Sequence, residues 1–175
     1  MYKFSSLMTS ISMNDRWGNL VIGSYKNKDI DPLMPILQQE FPNWNSKRIK
    51  SYMDLVSHEN QNISGVLAAK NESGYYVGCL IYTFQKIDAQ KFDLEHYDQK
   101  ETFNVFVVEN INSCIPILQK QIFLALVDEV VKIASANNCD YVELPTLTTQ
   151  SYLLVKEKYN NQIEDPKTFR TYIKI

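Results

Sequence analysis

The sequence predicts one α/β domain in which a mixed, mostly antiparallel sheet is flanked by helices, in the order β-α-α-β-β-β-α-β-α-β. The size and composition, 175 residues with 45% hydrophobic and 22% charged side chains, are those of a single globular domain. Runs of β-prone residues alternate with segments of helical spacing. Residues Pro116–Ala136 have a wide apolar face, which is typical of a helix packed on a sheet. We interpret residues 1–16 as an N-terminal lead-in and residues 17–175 as the domain.

The first third of the chain predicts a strand followed by two helices. Residues Trp17–Tyr25 are rich in aromatic and β-branched side chains, which favour a strand. Asp31 is a suitable N-cap and Pro32 suits the first helical position, so a helix is expected to begin there. A second helix is expected from Ser46, because apolar residues then recur with helical spacing.

The middle of the chain predicts a hairpin, a further strand and the apolar helix. Residues 63–70 and 75–85 are β-prone runs separated by the polar turn Asn71–Gly74, a pattern typical of a β-hairpin. The second run is apolar on both faces, so we expect it to be covered on both sides. The next predicted strand is Thr102–Val108, and the helix Pro116–Ala136 follows it.

Three shorter elements complete the predicted order. Residues Asp140–Leu144 favour a short strand, and Thr149–Tyr159 favour a helix. The segment Thr168–Ile175 has alternating faces and is expected to form the last strand.

This order of elements resembles the GCN5-related N-acetyltransferase (GNAT) fold over residues 17–175. The resemblance implies that the sheet opens between its fourth strand, TFNVFVVEN, and its fifth strand, DYVELP, and that acetyl-CoA lies in the gap. It also implies that Pro116–Ala136 is the helix beside the cofactor. The segments SYLLVKEKYNNQI and TFRTYIKI are similar to the last helix and final hairpin of the fold. The implied function is transfer of an acetyl group from acetyl-CoA to an amine.

The pyrophosphate-binding motif of that family is degenerate in this sequence. In the family, a Gln or Arg is followed by two residues, a Gly, one residue and a Gly or Ala, so that bare backbone N–H groups hold the phosphates. The five glycines of this chain end at Gly78, so residues 109–121, where the motif is expected, contain none. Gln119 matches only the first letter of the motif. The shortage of glycine also excludes a P-loop and a GxGxxG dinucleotide loop.

The candidate cofactor-binding residues fall into two groups. Polar or reactive side chains near the start of the apolar helix are candidates for the pyrophosphate: Ser113, Cys114, Lys120 and Gln121. For Cys114, the alternative is a small buried thiol without a ligand. The family polarises the acetyl carbonyl with a backbone N–H on the fourth strand, which implies Phe106, Val107 and Val108 as the matching positions.

Acetyl transfer to an amine also needs a base for the ammonium proton and an acid for the leaving thiolate. Glu109 and Glu143 are the candidate bases, because each stands at the C-terminal end of a strand that the resemblance expects to diverge. The alternative is that each is a solvated strand-end charge. The family commonly uses a tyrosine of the last helix as the acid, which makes Tyr152 the candidate, although Val155 occupies the matching position.

The composition narrows the expected partners. A net charge of −2 without a dense basic run gives no reason to expect nucleic acid or a membrane surface. Three cysteines without CxxC spacing fit neither a disulfide framework nor a zinc site, so a reducing, cytoplasmic setting is expected. The acidic loop around His96 lacks a defined metal-ligand spacing.

Two functions remain open at this point. The first is an acyltransferase that uses acetyl-CoA and acts on a small-molecule or protein amine. The second is a non-catalytic GNAT-like module that has lost CoA binding and binds a protein partner. A filled gap between TFNVFVV and DYVELP would favour the second.

Overall fold

The computed structural model describes residues 9–12, 19–26, 29–56, 64–89, 101–113, 119–164 and 169–175. The strands are β1 (Thr9–Ser12), β2 (Asn19–Ser24), β3 (Ser64–Lys70), β4 (Tyr76–Asp88), β5 (Thr102–Ser113), β6 (Tyr141–Leu144), β7 (Gln162–Glu164) and β8 (Thr171–Lys174). The helices are α1 (Met34–Glu40), which follows a 3-10 turn at Asp31–Leu33, α2 (Ser46–Asp54), α3 (Gln119–Ala136) and α4 (Thr149–Lys158). Of the helices in these ranges, none is long and apolar enough to cross a membrane.

All the described strands belong to one sheet, in the order β1-β2-β3-β4-β5-β6-β8-β7. Neighbouring strands are antiparallel except β5 and β6, which run parallel. A parallel pair needs a crossover connection, and α3 lies in that connection. The predicted mixed, mostly antiparallel sheet with flanking helices is therefore confirmed.

The sheet contains more strand than the sequence predicted. β1 pairs with residues Asn19–Ile22 of β2, so part of the segment interpreted as a lead-in belongs to the sheet. β7 pairs with β8 at the opposite edge. Both strands are short and lack a run of apolar alternation, which is why the pattern did not predict them. β5 extends beyond the predicted end at Val108 to Ser113, because its polar continuation still pairs with β4.

The two early helices begin in different ways. Ile30, rather than Asp31, is the N-cap of the 3-10 turn before α1, so the predicted cap position is wrong. The Asp31 N–H instead donates to the carboxylate of Asp29 at 2.9 Å. α2 begins as predicted, and the Asn45 side chain accepts a hydrogen bond from the Arg48 N–H at 2.9 Å.

Helices cover both faces of the sheet. α3 and Val155 of α4 pack on one face, and α1 and α2 pack on the other face over β3 and β4. α3 lies so close to β4 that a Cβ built on Gly78 would be 2.5 Å from Cγ2 of Ile122. Only a glycine leaves room for this approach. Because Gly78 pairs with Ser113, the contact fixes α3 against the end of β5.

Candidate active site

β5 and β6 diverge after a short parallel pairing. Residues Val105–Val107 pair with Tyr141–Glu143. Beyond this pairing β5 continues to Ser113 alongside β4, whereas β6 ends at Leu144 and the chain passes through residues 145–148 into α4. Within the described residues, the end of β5 therefore has no neighbouring strand on its β6 side. A strand edge without a neighbouring strand can pair with an extended ligand.

A β-bulge lies where the gap begins. Tyr82 of β4 pairs with Val108, and the preceding Ile81 pairs with Asn110, so Glu109 is the extra residue on β5. A bulge bends its strand and redirects side chains, and bulges are common beside active sites. Asn110 thereby shares the face of Ile81, which is the face that α1 and α2 cover.

The gap forms a cleft of about 650 Å³. Small-molecule sites usually enclose about 300–1,000 Å³. The walls are the end of α1, the end of β5, the start of α3, and the connection from β6 into α4. The lining residues are Glu40, 110–113, Gln119, Lys120, Phe123, 145–151 and Leu154. The gap is open. A filled gap would have favoured a non-catalytic module.

Hydrogen-bonded side chains connect β5 to α1 along one wall of the cleft. Asn112 Nδ2 donates to Asn110 Oδ1, and Asn110 Nδ2 donates to Oε1 of Glu40. None of these three residues is a site candidate on the sequence alone. The alternation of polar residues in ENINS could have indicated the two asparagines, had the extension of the strand been predicted.

The candidate pyrophosphate ligands are only partly brought together. Ser113 and Lys120 both line the cleft. Gln121 is exposed and is not part of the lining, whereas Gln119, one helical position before Lys120, is part of it. Cys114 lies outside the described residues, as does the acidic loop around His96.

Phe106, Val107 and Val108 can meet a ligand only through their backbone. Phe106 and Val108 are fully buried on the α3 side of the sheet, and Val107 is buried on the opposite side against Tyr141. Val108 is the first residue of β5 beyond the parallel pairing. Its backbone therefore lies at the point where the two strands separate.

The two candidate bases have opposite environments. Glu109 is exposed, and its Oε1 accepts a hydrogen bond from Thr83 Oγ1 at 3.2 Å. Glu143 is only 6% exposed and forms an ion pair with Arg170. A solvated strand-end charge is therefore the wrong interpretation of Glu143. Neither carboxylate is among the residues that line the cleft, but Glu109 directly precedes the lining segment of β5.

An aromatic group from α2 and from the connection between α1 and α2 borders Glu109. Burial raises the pKa of Tyr52 above its ordinary value, and the negative charge of Glu109 makes a smaller contribution in the same direction. Tyr52 therefore remains a neutral hydrogen-bond donor at physiological pH. Its ring packs edge to face against Phe41 and Trp44. The side of the sheet that carries Glu109 thus combines a carboxylate with an apolar wall.

The candidate acid stands beside the cleft rather than in its lining. Tyr152 of α4 is half-buried and does not line the cleft, although its neighbour Ser151 does. Val155, at the matching position of the family, is fully buried in the core. The Thr148 side chain caps α4 by accepting a hydrogen bond from the Ser151 N–H at 3.2 Å. The role of Tyr152 as an acid stays a prediction.

Comparison with known proteins identifies the architecture. The sequence matches no family model and no curated protein. Among solved structures, the aminoglycoside 6'-N-acetyltransferase AAC(6')-Ih from Acinetobacter baumannii is similar with a TM-score of 0.59 and 13% identity, over 79% of this chain and 88% of that chain. A GNAT-family acetyltransferase from Staphylococcus aureus Mu50 is similar with a TM-score of 0.54 and 14% identity, over 89% and 98%. The protein has the GNAT fold.

The GNAT fold accounts for the position of the cleft. Because β1 precedes the strand that the sequence analysis counted first, β5 and β6 are the fourth and fifth strands of the fold, between which the resemblance predicted an opening. A third solved structure, AtaT complexed with acetyl-methionyl-tRNAfMet, has a TM-score of 0.55 and 11% identity, over 89% of this chain and 94% of that chain. At such identities the comparisons establish the fold, and the chemistry must be argued from the side chains of this protein.

Proposed function

We propose that the protein transfers an acetyl group from acetyl-CoA to an amine. The observation that carries this proposal is the separation of β5 and β6 into an open cleft at the position where the GNAT fold opens. The degenerate glycine motif is then a change in how the phosphates are held.

The residues at the cleft fit acetyl-CoA in two respects. The β5 edge from residue 108 to residue 112 offers backbone groups to an amide-containing chain such as pantetheine, in the manner of an added strand. Lys120, which is exposed and lines the cleft, offers a positive charge to the pyrophosphate. Gln119 and Ser113 add hydrogen-bonding groups to the same region. When bound, acetyl-CoA supplies an activated acetyl thioester.

The ammonium nitrogen of the acceptor must lose two protons, and the leaving thiolate must gain one. The amine nitrogen forms a bond to the acetyl carbon and the carbon–sulfur bond breaks. One of the two protons passes through the base to solvent, and the other ends on the CoA thiol. We assign proton removal to Glu109, because it lies at the bulge and is exposed to solvent. Glu109 takes the proton either directly or through a water. Glu143 is not assigned this role, because it is buried and Arg170 already neutralises its charge. The Val108 backbone N–H is the proposed group that polarises the carbonyl.

Binding of acetyl-CoA is the direct test of this proposal. Acetyl-CoA should raise the melting temperature of the protein, since a ligand at about 100 times its Kd stabilises a fold by about 2.7 kcal/mol. Lys120→Gln should weaken this effect, and the loss should be greatest at low ionic strength. Lys156→Gln, which removes an equal charge from an exposed position of α4 outside the lining, is the matched control. The absence of any shift at millimolar acetyl-CoA would contradict the proposal and support the non-catalytic module.

A further inference from the structure

The cleft carries opposite charges at two of its ends. Among the described residues that line it, Lys120 is the one cation and Glu40 the one anion. Lys120 belongs to α3, at the end assigned above to the phosphates of acetyl-CoA. Glu40 is the last residue of α1, on the side of the sheet where α1 and α2 pack. The two charges are therefore carried by helices that pack on opposite faces of the sheet.

The position of Glu40 at the C-terminal end of α1 is not explained by helix stability. The C-terminal end of a helix carries partial negative charge, so a cation is favoured there and a carboxylate is disfavoured. Within the described residues, the structure records one hydrogen bond to Glu40, from Asn110 Nδ2 to Oε1. Asn110 is oriented in turn by Asn112. These amides orient the carboxylate and leave Oε2 for a ligand.

The position of Glu40 differs from that of the proposed base. Glu109 is the bulge residue, next to the backbone of Val108 where the reacting carbonyl is expected. Glu40 contacts the following residue of β5, Asn110. A carboxylate that keeps its contact throughout the reaction needs a group that stays charged, whereas the reacting nitrogen loses its charge when it attacks.

We propose that Glu40 binds a second cationic group of the acceptor, so that the acceptor is a diamine, a polyamine or another amine with a second positive charge. This inference rests on the proposed acetyltransferase function. An ammonium group satisfies Oε2 with a charge-assisted hydrogen bond, which is stronger than a neutral one. A carboxylate or phosphate on the acceptor is repelled by Glu40 and Glu109. Glu40 thus determines specificity.

Three probes of similar length and the same reactive group test this proposal. 1,4-Diaminobutane, n-butylamine and 4-aminobutyrate each present a primary amine, and they differ in carrying a cation, no charge or a carboxylate at the other end. The readouts are the affinity of each amine for the CoA-saturated protein, from thermal shifts at constant ionic strength, and its acetylation kinetics with acetyl-CoA. We expect the diamine to bind about tenfold more tightly than butylamine, and 4-aminobutyrate to bind most weakly.

Substitution of Glu40 assigns the preference to this side chain. Glu40→Gln keeps the size and hydrogen-bonding capacity but removes the charge, so the Kd and KM of the diamine should rise about tenfold while kcat and the affinity for acetyl-CoA hold. Glu40→Asp should restore part of the preference. Glu157→Gln, which removes an equal charge from an exposed position of α4 outside the lining, should leave the preference intact.

Two failures are distinguishable in this design. If the wild-type protein binds acetyl-CoA but shows no preference for the diamine, or if it binds none of the three amines, the inference about Glu40 is wrong and the proposed function stands. The inference is equally wrong if Glu40→Gln keeps the full preference. If acetyl-CoA does not bind at all, the proposed function itself fails.

Discussion

The ends of β5 and β6 follow the same parallel pairing but differ in length and in environment. Beyond Val107, β5 bulges, continues to Ser113 and carries the exposed Glu109. Beyond Glu143, β6 ends almost at once, and Glu143 itself is buried against Arg170. We call the end of β5 the open end, because it is accessible to ligands. We call the end of β6 the sealed end, because its carboxylate is buried and paired with Arg170.

This contrast shows how a cleft can form inside a continuous sheet. The sheet remains paired on the β6 side through β8, which supplies Thr171 and Tyr172 as partners of Leu144 and Glu143. On the β5 side, β4 is the strand that pairs with the end of β5 among the described residues, and α3 packs across β4 at Gly78. Stability thus comes from the sealed end and from the α3 contact, which leaves the open end of β5 free for chemistry.

The largest loss of stability should come from breaking the ion pair at the sealed end. Arg170→Ala leaves the buried carboxylate of Glu143 without its partner, and because Arg170 itself is 39% exposed we expect a cost of about 2–3 kcal/mol, below the range for a fully buried pair. Chemical denaturation of the variant and the wild type measures the difference. A change below about 0.5 kcal/mol, the range of ordinary surface substitutions, would show that Glu143 is not effectively buried.

The contact that holds α3 against the open end should have the next largest effect. Gly78→Ala places a methyl group against Ile122, and overpacking of this kind costs about 2 kcal/mol. Trimming the opposing side chain in the double variant Gly78→Ala/Ile122→Ala should make the two losses less than additive. Full additivity in denaturation experiments would contradict the proposed close approach of α3.

A smaller effect is expected from Cys139, which lies just before β6. The pKa of Cys139 is raised to about 11, mainly by burial and to a smaller extent by the negative charge of Asp140. The folded state therefore holds the thiol proton more firmly than the unfolded state, and this contribution is complete below the unfolded pKa and is lost as pH rises towards 11. The stability difference between the wild type and Cys139→Ala should shrink by roughly 1 kcal/mol between pH 8 and pH 10. A constant difference across this range would exclude a buried thiol.

The smallest effect on stability should come from Glu109 at the open end. Glu109→Gln should change the free energy of unfolding by less than about 0.5 kcal/mol, because the side chain is exposed. If Glu109 is the base, the same variant should lower kcat about 100-fold, with acetyl-CoA binding retained. Unfolding curves and steady-state rates on one preparation separate the two effects. An unchanged kcat would remove Glu109 from the mechanism.

The sequence predicted the elements that bury continuous apolar patterns. The hairpin of β3 and β4, the apolar α3 and the order of the elements all follow from hydrophobic periodicity, and the GNAT resemblance followed from that order. Apolar alternation predicted β5 only to Val108 and the resemblance implied it to Asn110. The last part, through Ser113, was missed, because a polar strand facing a cleft lacks the apolar alternation that predicts strands.

The candidate site was less predictable than the fold. Ser113 and Lys120, which are two of the residues predicted to bind the cofactor, line the cleft. Glu40 and Asn110 are 70 residues apart in sequence, and only the tertiary structure brings them together. The pairing of Glu143 with Arg170 is likewise a contact between distant segments. A carboxylate at a strand end looks the same in sequence whether it is exposed or neutralised, so the two candidate bases could be told apart only by their surroundings.

A pair of adjacent substitutions on α4 tests the central claim that the cleft binds acetyl-CoA. Leu154 lines the cleft, whereas Leu153 is 56% exposed and lies outside the lining. Calorimetric titration with acetyl-CoA should show that Leu154→Trp, which places an indole in the cleft, lowers affinity at least about tenfold. Leu153→Trp should leave affinity unchanged. Equal affinities for the wild type and both variants would contradict the account, because acetyl-CoA would then bind elsewhere.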